Sequence, residues 1–392
     1  MPVRNRIAEM QDEITGWRRY LHAHPELMFD VEETAGFVVE RLKEFGITDI
    51  TPGIGRTGVV AVIEGNTNTS GKVIGLRADM DALPIEEITG AEYASTVPGK
   101  MHACGHDGHT SMLLGAAKYL AETRNFDGTV VLIFQPAEEG GGGGKVMCDD
   151  GMMDRWGVQE VYGMHNAPGI PVGRFATRPG ALMASADQFD IVVTGKGGHA
   201  ADPHNAIDSN LAAAHILIAL QSIASRNVDP LKQIVVSVCT FRSETESYNV
   251  IPHTVLLRGT VRTLDKDVRV LAQERVTAIA EKTAAAYGAS AAVDYQLGYP
   301  ITINHADQTE FAVAAARAVV GADAVDDNAA PIMPAEDFSY MLEERPGMYM
   351  FLGNGDSAQC HHPAYDFDDD AIPVGVSWFA EIVERRMPVN GG

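Results

Sequence analysis

The sequence predicts an α/β protein: a mixed sheet with helices on both faces, into which a smaller ferredoxin-like α+β domain is inserted. Three observations carry this prediction. Short apolar, β-rich runs alternate with helical segments in the first part of the chain, which is the pattern of buried strands covered on both sides. The middle then changes to the order strand–helix–strand–strand–helix–strand, the split ferredoxin-like unit. Beyond it the apolar strand pattern returns, so the two flanks form one discontinuous domain.

Element by element, residues 5–21 and 31–45 read as amphipathic helices separated by His22-Ala-His-Pro25, where proline enforces a break. Apolar β-rich runs follow at 58–63, 73–76 and 129–134, with a helix at 111–123 before the last, and 161–164 and 348–352 add further short strands to the same layer. The inserted domain has strands at 189–194, 234–242, 255–263 and 291–296 and helices at 207–224 and 266–287. Its expected limits are 186–298. That leaves 1–185 and 299–392 as a larger discontinuous α/β domain, and no internal repeat is evident.

Composition excludes several classes of function. The 392 residues are 45% hydrophobic and 21% charged, enough for a large core and more than one domain. With 30 basic against 53 acidic residues the net charge is -23, a surface that repels nucleic acid and anionic membranes. Four widely spaced cysteines, Cys104, Cys148, Cys239 and Cys360, do not make a disulfide framework and fit a reducing cytoplasm. The N-terminus lacks the apolar core of a signal peptide, and the most apolar helical stretch, 211–220, is too short to span a bilayer. A cytoplasmic protein is expected.

The chemistry is concentrated in Met101-His-Ala-Cys-Gly-His-Asp-Gly-His-Thr110, which packs three histidines, a cysteine and an aspartate into ten residues. Imidazole, thiolate and carboxylate are the side chains that bind divalent transition metals. Cys104, His106, Asp107 and His109 are close enough in sequence for one turn to aim several donors at one point. Glu138-Glu139 follows the apolar run that ends at Pro136, and ligands gather at the carboxyl ends of strands in α/β sheets. Adjacent glutamates repel unless their tasks differ, one ionised on a metal and the other holding a mobile proton. Asp79 and Asp81 leave another strand in the same way, either as ligands or as groups that orient a ligand imidazole. His165 and the His361-His362 pair are further candidates. The glycine run 140–144 before Lys145 is not a phosphate loop, because Val146 stands where serine or threonine is needed. It is expected to be a turn that lets backbone approach the site closely.

These motifs, together with Arg19-Tyr-Leu-His-Ala-His-Pro-Glu-Leu27, Arg77-Ala-Asp-Met-Asp-Ala-Leu-Pro84, Gln135-Pro-Ala-Glu-Glu139, Gly195-Lys-Gly-Gly-His199 and Cys360-His-His-Pro363, recur in order along nearly the whole chain. The chain resembles the aminoacylase and hippurate-hydrolase branch of the dinuclear metallopeptidases that include carboxypeptidase G2-like enzymes. The resemblance implies two divalent ions per subunit (manganese, zinc, nickel or cobalt), held by Cys104, His106, Glu139, His165 and His361, with Cys104 bridging. His362 is the less favoured neighbour of His361. It implies Glu138 as general acid/base and His199 as a hydrogen-bond donor to the scissile carbonyl, acting by lid closure or across a dimer. Asn249 and Arg262 match positions that bind the substrate's carboxylate. Where many relatives carry a histidine ligand this chain has Asp79, which fits the cysteine-using branch and moves Asp79 and Asp81 behind the ligands.

The expected function is hydrolysis of N-acyl amino acids such as hippurate to an acid and a free amino acid. Dipeptide or carboxypeptidase cleavage by the same site is the alternative. The partner is a small molecule, with no nucleic acid or membrane, in a homodimer or homotetramer. A metal-storage or metal-sensing protein would need no acid/base carboxylate beside its ligands.

Overall fold

The computed structural model describes residues 2–389. The chain divides into two compact units. The larger comprises residues up to Leu182, Ile303–Ala330 and the chain from Asp337 onward; the smaller comprises Met183–Thr302 and Pro331–Glu336.

The larger unit is built on an eight-stranded mixed sheet. Across it the strands run Asp49–Ile54, Gly58–Glu64, Thr129–Gln135, Val73–Asp79, Glu160–Ala167, Gly347–Gly353, Phe175–Ala176 and Val325–Asp326. The four central strands, from Thr129–Gln135 to Gly347–Gly353, are mutually parallel, and Gly58–Glu64 joins them antiparallel. Their sequences, Thr-Val-Val-Leu-Ile-Phe-Gln and Gly-Met-Tyr-Met-Phe-Leu-Gly among them, are buried almost throughout. Each fully buried large apolar side chain contributes about 1.5–3 kcal/mol, so these strands are the rigid frame. One core joins helices Gln11–Ala23, Glu32–Glu44, His106–Thr123, Ala306–Val320 and Ile372–Arg386 to the sheet. Trp378 Nε1 donates to the Ala312 carbonyl at 3.1 Å and ties the last two helices together.

The first predicted helix is in fact two, Pro2–Glu9 and Gln11–Ala23, broken at the buried Met10. Strand Asp49–Ile54 and helices Ala306–Val320, Phe338–Glu344 and Ile372–Arg386 add to the elements predicted. The helix expected at 111–123 begins at His106, so the metal-type motif forms its first turn. Histidine, aspartate and glycine are weak helix formers, and here packing overrides propensity. Among the described residues no helix is long and apolar enough to cross a membrane.

The smaller unit carries a four-stranded antiparallel sheet in the order Ile234–Ser243, Thr254–Thr263, Ala186–Thr194, Ser290–Tyr299. With helices Ser209–Leu220 and Lys266–Ala286 this is the ferredoxin-like arrangement. Alternation along Ala186–Thr194 turns Phe189, Ile191 and Val193 into a core shared with Ala212, Ile216, Ala272, Val276 and Ala280. The first helix starts at Ser209 because the Asp208 carboxylate accepts from Leu211 N at 3.1 Å. It ends at Leu220, before a π-turn over Ile223–Asn227. Segment Pro331–Glu336 docks here through the Ala184 amide, which donates to the Ile332 carbonyl at 3.1 Å.

Candidate metal centre and active site

The carboxyl ends of the four parallel strands gather the donor side chains. Asp79 ends one strand, Glu138 and Glu139 follow the next, and His165 lies near the end of the third. The chain leaving Gly347–Gly353 returns with Cys360 and His361, and helix His106–Thr123 points its first turn at the same place. Among the triads that result are Cys104, His106 and His165; Cys104, Glu139 and His361; and His106, Glu138 and Glu139. Within each triad the donor atoms lie within 4.8 Å of one another. Cys104 Sγ is 3.4 Å from His165 Nε2, and Glu139 Oε1 is 3.2 Å from His361 Nε2 and 3.9 Å from His106 Nε2.

Backbone carbonyls fix the imidazoles. His106 Nδ1 donates to the Asp81 carbonyl at 2.8 Å, and His165 Nδ1 donates to the Asn166 carbonyl at 2.6 Å. A neutral ring so held presents the lone pair of Nε2, the tautomer a metal ligand needs. Among the described residues His106 Nε2 is buried with no hydrogen-bond partner, a costly condition that a cation relieves. Thiolate, imidazole and carboxylate donors, with this orphaned nitrogen among them, fit a divalent transition metal.

Asp81 sets the glutamates. Its Oδ1 accepts from Glu138 N at 2.9 Å and its Oδ2 from Glu139 N at 3.1 Å. The preceding Ala137 is in the left-handed region (φ 54), as is His361 (φ 68), and both are strained for residues with a Cβ. His361 is held there by its amide, which donates to the Ala103 carbonyl at 2.7 Å. Gly105 turns the chain between Cys104 and His106 at φ 93, where a Cβ would run into Asn166 and Tyr365. The glycine run makes the close approach expected of it: Gly143 lies against the Pro136 carbonyl with no room for a Cβ.

The three histidines of the motif part company. His106 faces the cluster. His109 is clamped, Nδ1 donating to Asp79 Oδ1 at 2.6 Å and Nε2 accepting from Asn166 N at 2.9 Å, which leaves it no free donor atom. His102 lies in the core near His22, and burial lowers it to about 4. Asp107 also turns away from the cluster, to His22 at 2.8 Å and Arg18 at 3.7 Å. His362 Nδ1 accepts from Ala364 N at 3.0 Å, while His361 joins the cluster.

The local field is strongly negative. Burial alone would lower His106, yet Asp79, Asp81 and Glu139 raise it well above the usual imidazole range. The same field draws a cation. Burial opposes ionisation of Asp79, but His106, Arg77 and His109 hold it well below the ordinary carboxylate range. Glu139 is lowered by His361 and His106 against its own burial.

Behind the cluster lies a buried network that sequence motifs alone did not reveal. Arg77 donates to Asp79 at 2.7 Å, to Gln135 at 2.9 Å and to Asp337 at 3.0 Å. Asp337 also accepts from Gln135 Nε2 and Gly144 N, both at 2.8 Å, and so pins the chain that follows the glutamates. Asn166 donates to the Cys104 carbonyl and accepts from the Tyr365 hydroxyl at 2.8 Å. No local pattern marks Asp337, Asn166 or Tyr365; the apolar strand leading into Asn166 was the one available hint.

The remaining predicted residues belong to the smaller unit. His199 lies on a short ribbon paired with Val250, and the Asn249 carbonyl accepts from Ala200 N, so His199 and Asn249 are neighbours. His199 is exposed, and its Nδ1 accepts from Ala201 N at 3.1 Å. Arg262 pairs with Val235 in the four-stranded sheet.

Residues 75–385 match the model of peptidase family M20/M25/M40. The chain is 41% identical over 381 residues to a hippurate hydrolase of Campylobacter jejuni, covering 97% of this chain and 98% of the relative. It is 41% identical to an N-acetyl-L-cysteine deacetylase of Bacillus subtilis, covering 98% and 90%. A crystal structure of a dinuclear metal-binding peptidase of family M20 from Bacillus subtilis superposes with a TM-score of 0.85 at 36% identity, covering 97% and 99%. The chain therefore belongs to peptidase family M20/M25/M40 and is a metal-dependent amidohydrolase.

Proposed function

We propose that the enzyme hydrolyses the amide bond of N-acyl amino acids of the hippurate type, releasing a carboxylic acid and a free amino acid. The observation that carries this reading is that Cys104, His106, Glu139, His165 and His361 form overlapping triads of donor atoms, with the buried Glu138 carboxylate beside them. The names of the relatives support the substrate class.

In this reading those five residues would hold two divalent cations (manganese, zinc, nickel or cobalt). When bound, the cations supply Lewis acidity, lowering the pKa of water and polarising the amide carbonyl. Glu138 takes the proton of the attacking water and returns it to the departing amine. Asp81 keeps Glu138 and Glu139 in place through their amides, and Asp79 acts through His109 and Arg77 rather than as a ligand. For the smaller unit we assign His199 to the carbonyl oxygen and Asn249 and Arg262 to the substrate's carboxylate, on the resemblance of their motifs. A cytoplasmic homodimer or homotetramer completes the proposal, and the net charge of -23 argues against nucleic-acid or anionic-membrane partners.

The test is a hydrolysis screen of chelated protein with each metal added back singly. Hippurate, N-acetylcysteine and other N-acyl amino acids are set against dipeptides with a free amine. Metal-dependent release of amino acid from the acylated compounds is expected. Preference for the free-amine dipeptides would overturn the reading in favour of a carboxypeptidase or dipeptidase.

A further inference from the structure

Cys360 has no part in the proposed chemistry, yet it lies against Cys104. The His361 amide donates to the Ala103 carbonyl at 2.7 Å, which lays the strand of chain carrying Cys360 alongside the one carrying Cys104. Cys360 Sγ lies 3.9 Å from the Cys104 carbonyl oxygen, which brings the two residues side by side. Both are free, Cys104 buried and Cys360 partly exposed, and both belong to the larger unit. The other two cysteines are placed differently: Cys148 is buried elsewhere, and Cys239 is exposed on the smaller unit.

We propose that Cys104 and Cys360 form a reversible disulfide that removes Cys104 from the donor set, making the metal centre an oxidation-sensitive switch. The oxidant is a peroxide. The thiolate of one cysteine attacks the peroxide O–O bond, forming a sulfenic acid and releasing hydroxide, which takes up the thiol proton as water. The second sulfur then displaces the sulfenic oxygen as a second water. Overall, two thiols and one hydrogen peroxide give one disulfide and two waters. Cys360 is the accessible partner and the natural first target, and Cys104 resolves it. In the disulfide Cys104 is no longer able to form the thiolate that binds a metal, and a dithiol reductant restores it. This pairing suits a reducing compartment, where disulfides are transient and sensing rather than structural. Metal bound to Cys104 protects it, so the switch closes on the metal-free enzyme and blocks reloading.

The loss of metal rests on Cys104 being a ligand, whereas the cross-link does not. The experiment treats chelated full-length protein with hydrogen peroxide, maps its peptides by mass spectrometry, and measures zinc uptake before and after dithiothreitol. The expected result is a Cys104–Cys360 cross-linked peptide, lighter by two hydrogens, with metal uptake reduced roughly tenfold or more and restored by the reductant. Cys360→Ser and Cys360→Ala should take up zinc normally, but after peroxide they should carry Cys104 as sulfinic or sulfonic acid that dithiothreitol does not rescue. Separate overoxidation of both cysteines in the wild type, without the cross-linked peptide, would overturn the proposal. A cross-link that left zinc uptake unchanged would also overturn the switch, and would in addition count against Cys104 as a ligand.

Discussion

Replacing Asp81 by asparagine tests how the active-site glutamates are held. The carboxylate accepts the amide of Glu138 at 2.9 Å through one oxygen and that of Glu139 at 3.1 Å through the other. Asparagine keeps one acceptor and turns an NH2 group toward the other amide, so one charge-assisted bond is lost and a buried N–H loses its partner. A bond to a charged group contributes about 1.5–3 kcal/mol, and an unsatisfied buried donor costs about 1–3 kcal/mol. Asp81 is fully buried, so water does not compensate, and the combined loss is about 3 kcal/mol. Differential scanning calorimetry should show a fall in Tm of roughly 4–6 °C. Because the glutamates shift, titration with zinc and turnover assays should show metal affinity or kcat reduced by roughly 10–100-fold. Asp81→Asn with wild-type Tm, zinc affinity and kcat would refute the view that this carboxylate positions Glu138 and Glu139.

Two further perturbations follow from the same geometry. Gly105→Ala forces a Cβ into Asn166 and Tyr365 at a φ of 93, so it should cost about 2 kcal/mol or more and displace Cys104 and His106; urea denaturation and zinc stoichiometry measure both. His22 is buried, which alone would lower it, but Asp107 at 2.8 Å raises it from 6.5 to about 9. The stabilisation from this raised pKa is complete below pH 6.5 and is lost as pH rises through about 9, a change on the order of 3 kcal/mol. Urea denaturation across that interval should show the decline in the wild type and a flatter profile in His22→Gln.

Much of the candidate donor set was legible because its residues are close in sequence. Cys104, His106 and the glutamate pair lie in short segments whose residue types are rare together, and the apolar strands leading to Glu138 and His165 mark sheet ends. What could not be read was orientation. Nothing in Met101–Thr110 says that His102 and Asp107 face the core while His106 faces the cluster, because that depends on a helix starting at His106 after the turn at Gly105. Asp337 was hidden for a different reason: it meets Arg77 and Gln135 across 260 and 202 residues of sequence, where no periodicity connects them. Segment Pro331–Glu336 likewise joins the smaller unit through tertiary pairing alone.

The central claim is that Glu138 moves the proton while its neighbour Glu139 holds metal, and Glu138→Gln tests it most directly. The measurement is kcat on hippurate together with metal content per subunit, made on Glu138→Gln and Glu139→Gln side by side. The account predicts full metal content in Glu138→Gln with kcat reduced by roughly 10²–10⁴-fold, and metal loss in Glu139→Gln. Near-normal turnover in Glu138→Gln, or loss of its metal, would contradict the assignment.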